Sequence, residues 1–140
     1  MQTQDKSTEH EYSYELPRER VRFIAEELNM LMTDKMPFLQ RDYSMRQLAK
    51  DTHIPSYQLS AFINRIVGLN FNEYMNRFRV RYCEDVIHKM EADELNMKGL
   101  ALKCGFHNRN SFTAAFKKFT GFTPSEYRKF WKLARTVRPG

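Results

Sequence analysis

The chain repeats itself, and that repeat limits its possible folds more than any other feature. Leu48 and Ala49 recur as Leu100 and Ala101 after 52 residues; Leu59, Ile63, Gly68 and Tyr74 recur as Phe112, Phe116, Gly121 and Tyr127 after 53. Each copy reads as a short helix, a tight turn, a second helix, a glycine and a closing aromatic. A supersecondary unit written twice must bury one hydrophobic face per copy. In 140 residues this leaves room for one domain, or for two very small ones that share an element.

The spacing of apolar residues predicts an all-α fold of two helix-turn-helix subdomains joined by a long linker helix. Residues 1–16 show no helical period and read as a disordered lead-in or linker. Residues 17–42 read as an amphipathic helix and a connector. Pro17 suits a first helical turn, and Val21, Ile24, Leu28, Leu31 and Met32 follow at three-to-four spacing to about Asp34. Met36-Pro37-Phe38-Leu39 is expected to be extended, because a proline biases the residue before it away from helix.

The first helix-turn-helix occupies 43–70. Asp42 or Ser44 starts a helix over Met45–Thr52, with Leu48 and Ala49 inward, and His53-Ile54-Pro55 turns the chain. Ser56 is the expected N-cap of a helix to Val67 that buries Leu59, Phe62, Ile63 and Ile66. Gly68 ends it in the left-handed conformation.

Asn70 is then expected to cap the linker helix, about Phe71–Met90, within 71–91. Its apolar face holds Phe71, Met75, Phe78, Tyr82 and Val86, flanked by Cys83, Ile87 and Met90. The second copy spans 92–134. Asn96 opens its first helix, Gly105 turns it, and Asn108 caps a helix that buries Phe112, Ala115, Phe116 and Phe119. Gly121 stops that helix, Pro124 starts the last one, and 135–140 reads as a fraying, flexible tail. The crossing of the two helices in each copy needs a small residue, supplied by Ala49 and Ala101. The turn needs positive φ, which suits Gly105 and gives the first copy either a small strain at His53 or a slightly different turn.

Charge is unevenly placed. Residues 1–43 carry 6 Lys/Arg against 9 Asp/Glu, whereas residues 44–140 carry 17 against 8, so the positive excess lies on the repeats. A basic module attracts polyphosphate by counterion release. No apolar run approaches the length of a membrane span, so no membrane contact is expected. Cys83 and Cys104 match no zinc or redox spacing and read as free buried thiols in a reducing cytoplasm. The four histidines, at 10, 53, 88 and 107, have no ligand spacing, and no phosphate-cradling loop or nucleophile elbow is present. Neither an enzyme nor a cofactor is expected.

The outward faces of the two second helices carry the chemistry. The first presents Tyr57, Gln58, Ser60, Ala61, Asn64 and Arg65; the second presents Asn108, Arg109, Asn110, Thr113, Ala114 and Lys117. Arginine pairs bidentately with guanine, asparagine and glutamine with adenine, and hydroxyls and helix N-terminal amides suit phosphates. Ordinary solvated helices mix Glu with Lys. These two faces are almost without carboxylates, which points to double-stranded DNA. The other reading is a helical protein-interaction module with weak or lost DNA binding.

Over about Tyr43–Trp131 the chain resembles the AraC family of bacterial transcription regulators in their two-part DNA-binding domain. The most specific segment is Leu100-Ala101-x-x-Cys104-Gly105-Phe106-x-Asn108-Arg109-Asn110-Ser111-Phe112, continuing Ala115-Phe116-Lys117-Lys118-Phe119-Thr120-Gly121-x-Thr123-Pro124-Ser125-Glu126-Tyr127-Arg128. Leu48-Ala49, Leu59-Ser60, Gly68, Phe71, Tyr74 and Arg79 align in the first copy.

The resemblance implies seven helices and base-facing positions at Tyr57, Ser60 and Ala61, and at Arg109, Asn110, Thr113 and Ala114. It implies phosphate contacts or their neighbours at Asn64, Arg65, Lys117 and Lys118. It also implies RNA polymerase as a protein partner and a separate sensing region upstream. Family members often carry Arg where this chain has Ala61 and Ala114, and glycine where it has His53. On this reading the chain is the output domain of a longer regulator, with a short stand-alone regulator as the alternative. Helix 17–34 either packs on the first subdomain or acts as a transmitter or dimer contact.

Overall fold

The computed structural model describes residues 15–137. Nearly all of the expected lead-in and the last three residues of the expected tail lie outside that range. The described residues form seven α-helices and no strand. They divide into two compact units, the first holding the described residues up to 34 and 44–71, the second 35–43 and the described residues from 72 on.

In the first unit, α1 (Arg18–Asp34) buries Ile24, Leu28 and Met32. Helix α2 (Met45–Thr52) begins at Ser44, not Asp42. The Ser44 hydroxyl accepts from the Gln47 amide while the Gln47 side chain accepts from the Ser44 amide, a complete capping box. Asp42 has φ +62 and belongs to the preceding turn.

Leu48 is fully buried and Ala49 half-buried. His53 ends α2 in the left-handed region at φ 58, ψ 29, the conformation expected of it. The buried Thr52 hydroxyl stitches the turn, donating to the Leu48 carbonyl (2.7 Å) and accepting from the Ile54 amide (3.3 Å).

Helix α3 is Ser56–Ala61, continued by a π-helical turn over Phe62–Val67 and closed by Gly68 at φ +83. Two expectations fail here. Ser56 is the first helical residue and not the cap. Pro55 takes the cap position, with φ preset at −57°, and its carbonyl accepts from the Gln58 and Leu59 amides. Ile66 is 54% exposed, because the wider turn delays the helical phase by one residue and gives its inward place to the half-buried Val67. Leu59, Phe62 and Ile63 are buried as expected.

In the second unit, 36–39 is not extended. Met36 takes the left-handed conformation (φ 47, ψ 54), and Pro37–Leu39 forms one 3-10 turn that buries Pro37 and Phe38. Proline disfavours the right-handed helical region for the residue before it, and Met36 leaves that region for the left-handed one, not the extended one. The Phe38 ring stacks on Phe78 and meets Tyr82 edge-on, at 5.8 and 6.2 Å between centroids.

Helix α4 (Phe71–His88) ends two residues before the expected Met90. Met90 adopts φ +64, and the Met90 and Glu91 amides turn back to the Ile87 and Val86 carbonyls. This is the closing pattern usually built on glycine, here on a methionine that is 56% exposed. The buried face of α4 gains Tyr74 and Val80, while Phe71, Phe78 and Tyr82 are half-buried.

Helices α5 (Met97–Lys103), α6 (Arg109–Thr120) and α7 (Pro124–Thr136) pack with α4 around Leu100, Ala101, Phe112 and Phe116. Asn96, Asn108 and Thr123 cap them, each accepting from the amide three residues on. Helix α7 is intact through Thr136, so Arg135 does not fray: its guanidinium pairs with Asp93 at 3.3 Å. Arg128 donates to the Ala92 and Leu95 carbonyls and ties α7 to the segment before α5. The Tyr127 hydroxyl meets Glu84 (3.1 Å) and the His88 ring (2.7 Å), and desolvation raises its pKa to about 12.

Cys83 and Cys104 are buried and free. A thiol hydrogen bond to Cys104, together with burial, pushes the Cys83 pKa up.

Candidate nucleic-acid interface

In each copy a helix of four turns or fewer is held by its inward face and presents the other face outward. In the first unit Tyr57 is 60% exposed, and Asn64 and Arg65 are also exposed. Gln58, Ser60 and Ala61 are half-buried beside them. The Asn64 amide donates to the Ser60 hydroxyl at 3.2 Å, a one-turn contact that leaves both on the same face.

In the second unit Asn108, Arg109, Asn110, Ala114, Lys117 and Lys118 are exposed and Thr113 is half-buried. Neither Ser56–Val67 nor Arg109–Thr120 contains a carboxylate. The amides in the first turn of a helix have no acceptor within it and attract anions.

Two side chains expected at the interface, Asn108 on the outward face and Lys118 among the phosphate contacts or their neighbours, have structural work. The Asn108 oxygen accepts from the Ser111 amide at 2.8 Å, which commits one of its two lone pairs to the cap and leaves both NH2 donors. Lys118 forms an ion pair with Glu73 of α4 and lies 5.7 Å from the Phe119 ring centre. Its neighbour Lys117 is exposed. Arg20 of α1, which lies outside both repeats, also reaches this face: its Nε donates to Gln58 Oε1 at 2.6 Å. No local pattern could have paired residues 38 positions apart.

The turn of the second copy is built on close approach. Gly105 has φ +89, and a Cβ there would lie 2.8 Å from the Phe38 carbonyl oxygen. The same oxygen accepts from Arg79 Nε at 2.7 Å, and Arg79 also donates to Asn76 at 2.6 Å. Burial lowers the Arg79 pKa, and these two acceptors replace the water its guanidinium has lost.

Comparison with known proteins places this architecture. Residues 48–129 match the family described as a helix-turn-helix domain. The chain is 33% identical over 85 residues to the HTH-type transcriptional regulator YijO of Escherichia coli K12, covering 61% of this chain and 29% of that protein. It is 22% identical over 105 residues to the HTH-type transcriptional activator RhaR of Yersinia pseudotuberculosis, covering 75% of this chain and 35% of RhaR. Its fold is shared with the C-terminal domain of AraT, a response regulator from Geobacillus stearothermophilus (TM-score 0.59, 21% identity, 77% of this chain and 84% of that one). The chain spans about a third of the length of the curated relatives it matches. It belongs to the AraC-type family of helix-turn-helix domains.

Proposed function

We propose that the chain is the DNA-reading output part of a longer transcription regulator and binds double-stranded DNA sequence-specifically. The observation that carries this is the pair of exposed helix faces, one in each unit, rich in amide, hydroxyl and basic groups and free of carboxylates. Helices α3 and α6 enter adjacent major-groove segments. The site is a bipartite element of about 15–20 base pairs, since such half-sites lie roughly one helical turn apart.

Tyr57, Ser60 and Ala61 contact bases in the first segment, with Gln58 beside them. Arg109, Asn110, Thr113 and Ala114 contact bases in the second, with Asn108 at the helix tip. Asn64, Arg65 and Lys117 engage phosphates, with Lys118 flanking them. With Ala61 and Ala114 in place of longer side chains, guanine preference rests mainly on Arg109. Relatives about three times longer support an additional sensing region, and their names as transcriptional regulators support RNA polymerase as a partner in the bacterial cytoplasm.

The test is selection of binding sites from random duplex, with anisotropy titrations across a salt series. The expected result is a bipartite motif, with log affinity falling linearly with log salt by about 0.9 per phosphate neutralised. Arg109→Ala is expected to cost about 1–3 kcal/mol and to relax one position of the motif. Absence of salt-dependent binding to any duplex would refute this function and favour a protein-interaction module.

A further inference from the structure

Arg20 lies in the first turn of α1 and Gln58 in the first turn of α3, both half-buried. Arg20 Nε donates to Gln58 Oε1 at 2.6 Å, and the guanidinium carbon sits 4.8 Å from the ring centre of Phe23 on the same helix. Arginine has five N–H donors and no acceptor, so a glutamine facing it must offer its oxygen. Gln58 therefore turns its NH2 group the other way, where Nε2 lies 3.5 Å from the Tyr57 hydroxyl. The contact is charge-assisted and partly shielded from water, which makes it stronger than a neutral pair.

Reading adenine bidentately requires the glutamine oxygen to accept from N6 while its nitrogen donates to N7. The guanidinium takes one of the two lone pairs of Gln58 Oε1 and fixes the orientation of the amide, which disfavours presenting that oxygen beside the nitrogen at a base edge. We infer that Arg20 is a specificity-determining positioning residue: by holding Gln58 Oε1, it makes Gln58 a donor-only reader. Gln58 then favours the acceptor edges of guanine (N7, O6) or thymine (O4) over adenine at the base pair it faces. The inference rests on the DNA-binding function proposed above. It also gives α1 a part in base readout beyond packing, because the placement of α1 sets the orientation of Gln58.

Binding-site selection with the unaltered chain, Arg20→Ala, Gln58→Ala and the double variant tests this. Arg20→Ala is expected to raise adenine about tenfold at one position of the first half-site and to leave the second half-site unchanged. Gln58→Ala should flatten that same position, and the double variant should match Gln58→Ala there. If Arg20→Ala unfolds the first unit, Arg20→Met keeps the aliphatic stem without the donor and should give the same shift. An unchanged motif, an equal shift in the Gln58→Ala background, or uniform weakening at every position would overturn the inference while leaving DNA binding intact. Failure of the unaltered chain to select any motif would overturn both.

Discussion

Replacing Gly105 with alanine introduces two separable costs. The first is conformational: at φ +89 an L-residue sits in left-handed space, which costs roughly 1–2 kcal/mol. About 0.4–1 kcal/mol of this is offset by the lower entropy of the unfolded chain. The second is steric. The new Cβ would lie 2.8 Å from the Phe38 oxygen and 3.2 Å from Leu39 Cα, both backbone atoms. Relieving that contact displaces the carbonyl that accepts from Arg79 at 2.7 Å, and a hydrogen bond to a charged group contributes about 1.5–3 kcal/mol.

Gly121 is the internal control. It lies in the same unit at φ +85, and a Cβ there meets nothing within 4 Å, so Gly121→Ala bears only the first cost. Gly105→Ala is therefore expected to destabilise the second unit by about 3 kcal/mol, and Gly121→Ala by about 1 kcal/mol. Urea unfolding of the two variants, followed by circular dichroism, gives both values. If they agree within about 0.5 kcal/mol, the close approach of the Phe38 backbone contributes nothing and the reasoning fails.

Three further outcomes follow from the same geometry. Lys117→Ala should weaken binding to all duplexes alike and lower the slope of log affinity against log salt by about one; an unaltered slope would remove Lys117 from the phosphate contacts. Ser44→Ala removes the hydroxyl that accepts from the Gln47 amide in the α2 capping box and should cost the first unit about 1 kcal/mol in denaturant titration. Cys83 and Cys104 are buried and Cys83 is held protonated, while the thiolate is the reactive form. Iodoacetamide should therefore label them only at the rate the second unit opens, and rapid labelling under native conditions would contradict their burial.

The legible features of the chain were those encoded locally. The helix starts at Asn96, Asn108 and Pro124 and the glycine stops at Gly68 and Gly121 act through residues within one turn, so their positions could be read directly. The failures share a cause as well. Met36 and Met90 take left-handed conformations without being glycine, so no residue type marked the turns they make. The π turn in α3 leaves Phe62, Ile63 and Ile66 looking like an ordinary helical stripe, and only the altered phase exposes Ile66. Arg135 looked like part of a fraying end because its partner, Asp93, lies 42 residues away.

The amino-acid sequence by itself determined the all-α class, the duplicated helix-turn-helix and the composition of the two outward faces. Periodicity, capping and turn chemistry are short-range, and each copy states them in full. Tertiary structure alone decided that 35–43 joins the second unit, that Gly105 accommodates the Phe38 carbonyl as well as the turn, and that Lys118 is paired with Glu73. It alone brought Arg20 to Gln58. These are contacts between residues far apart in the chain, set by how buried faces pack, and no local pattern of residue types specifies them.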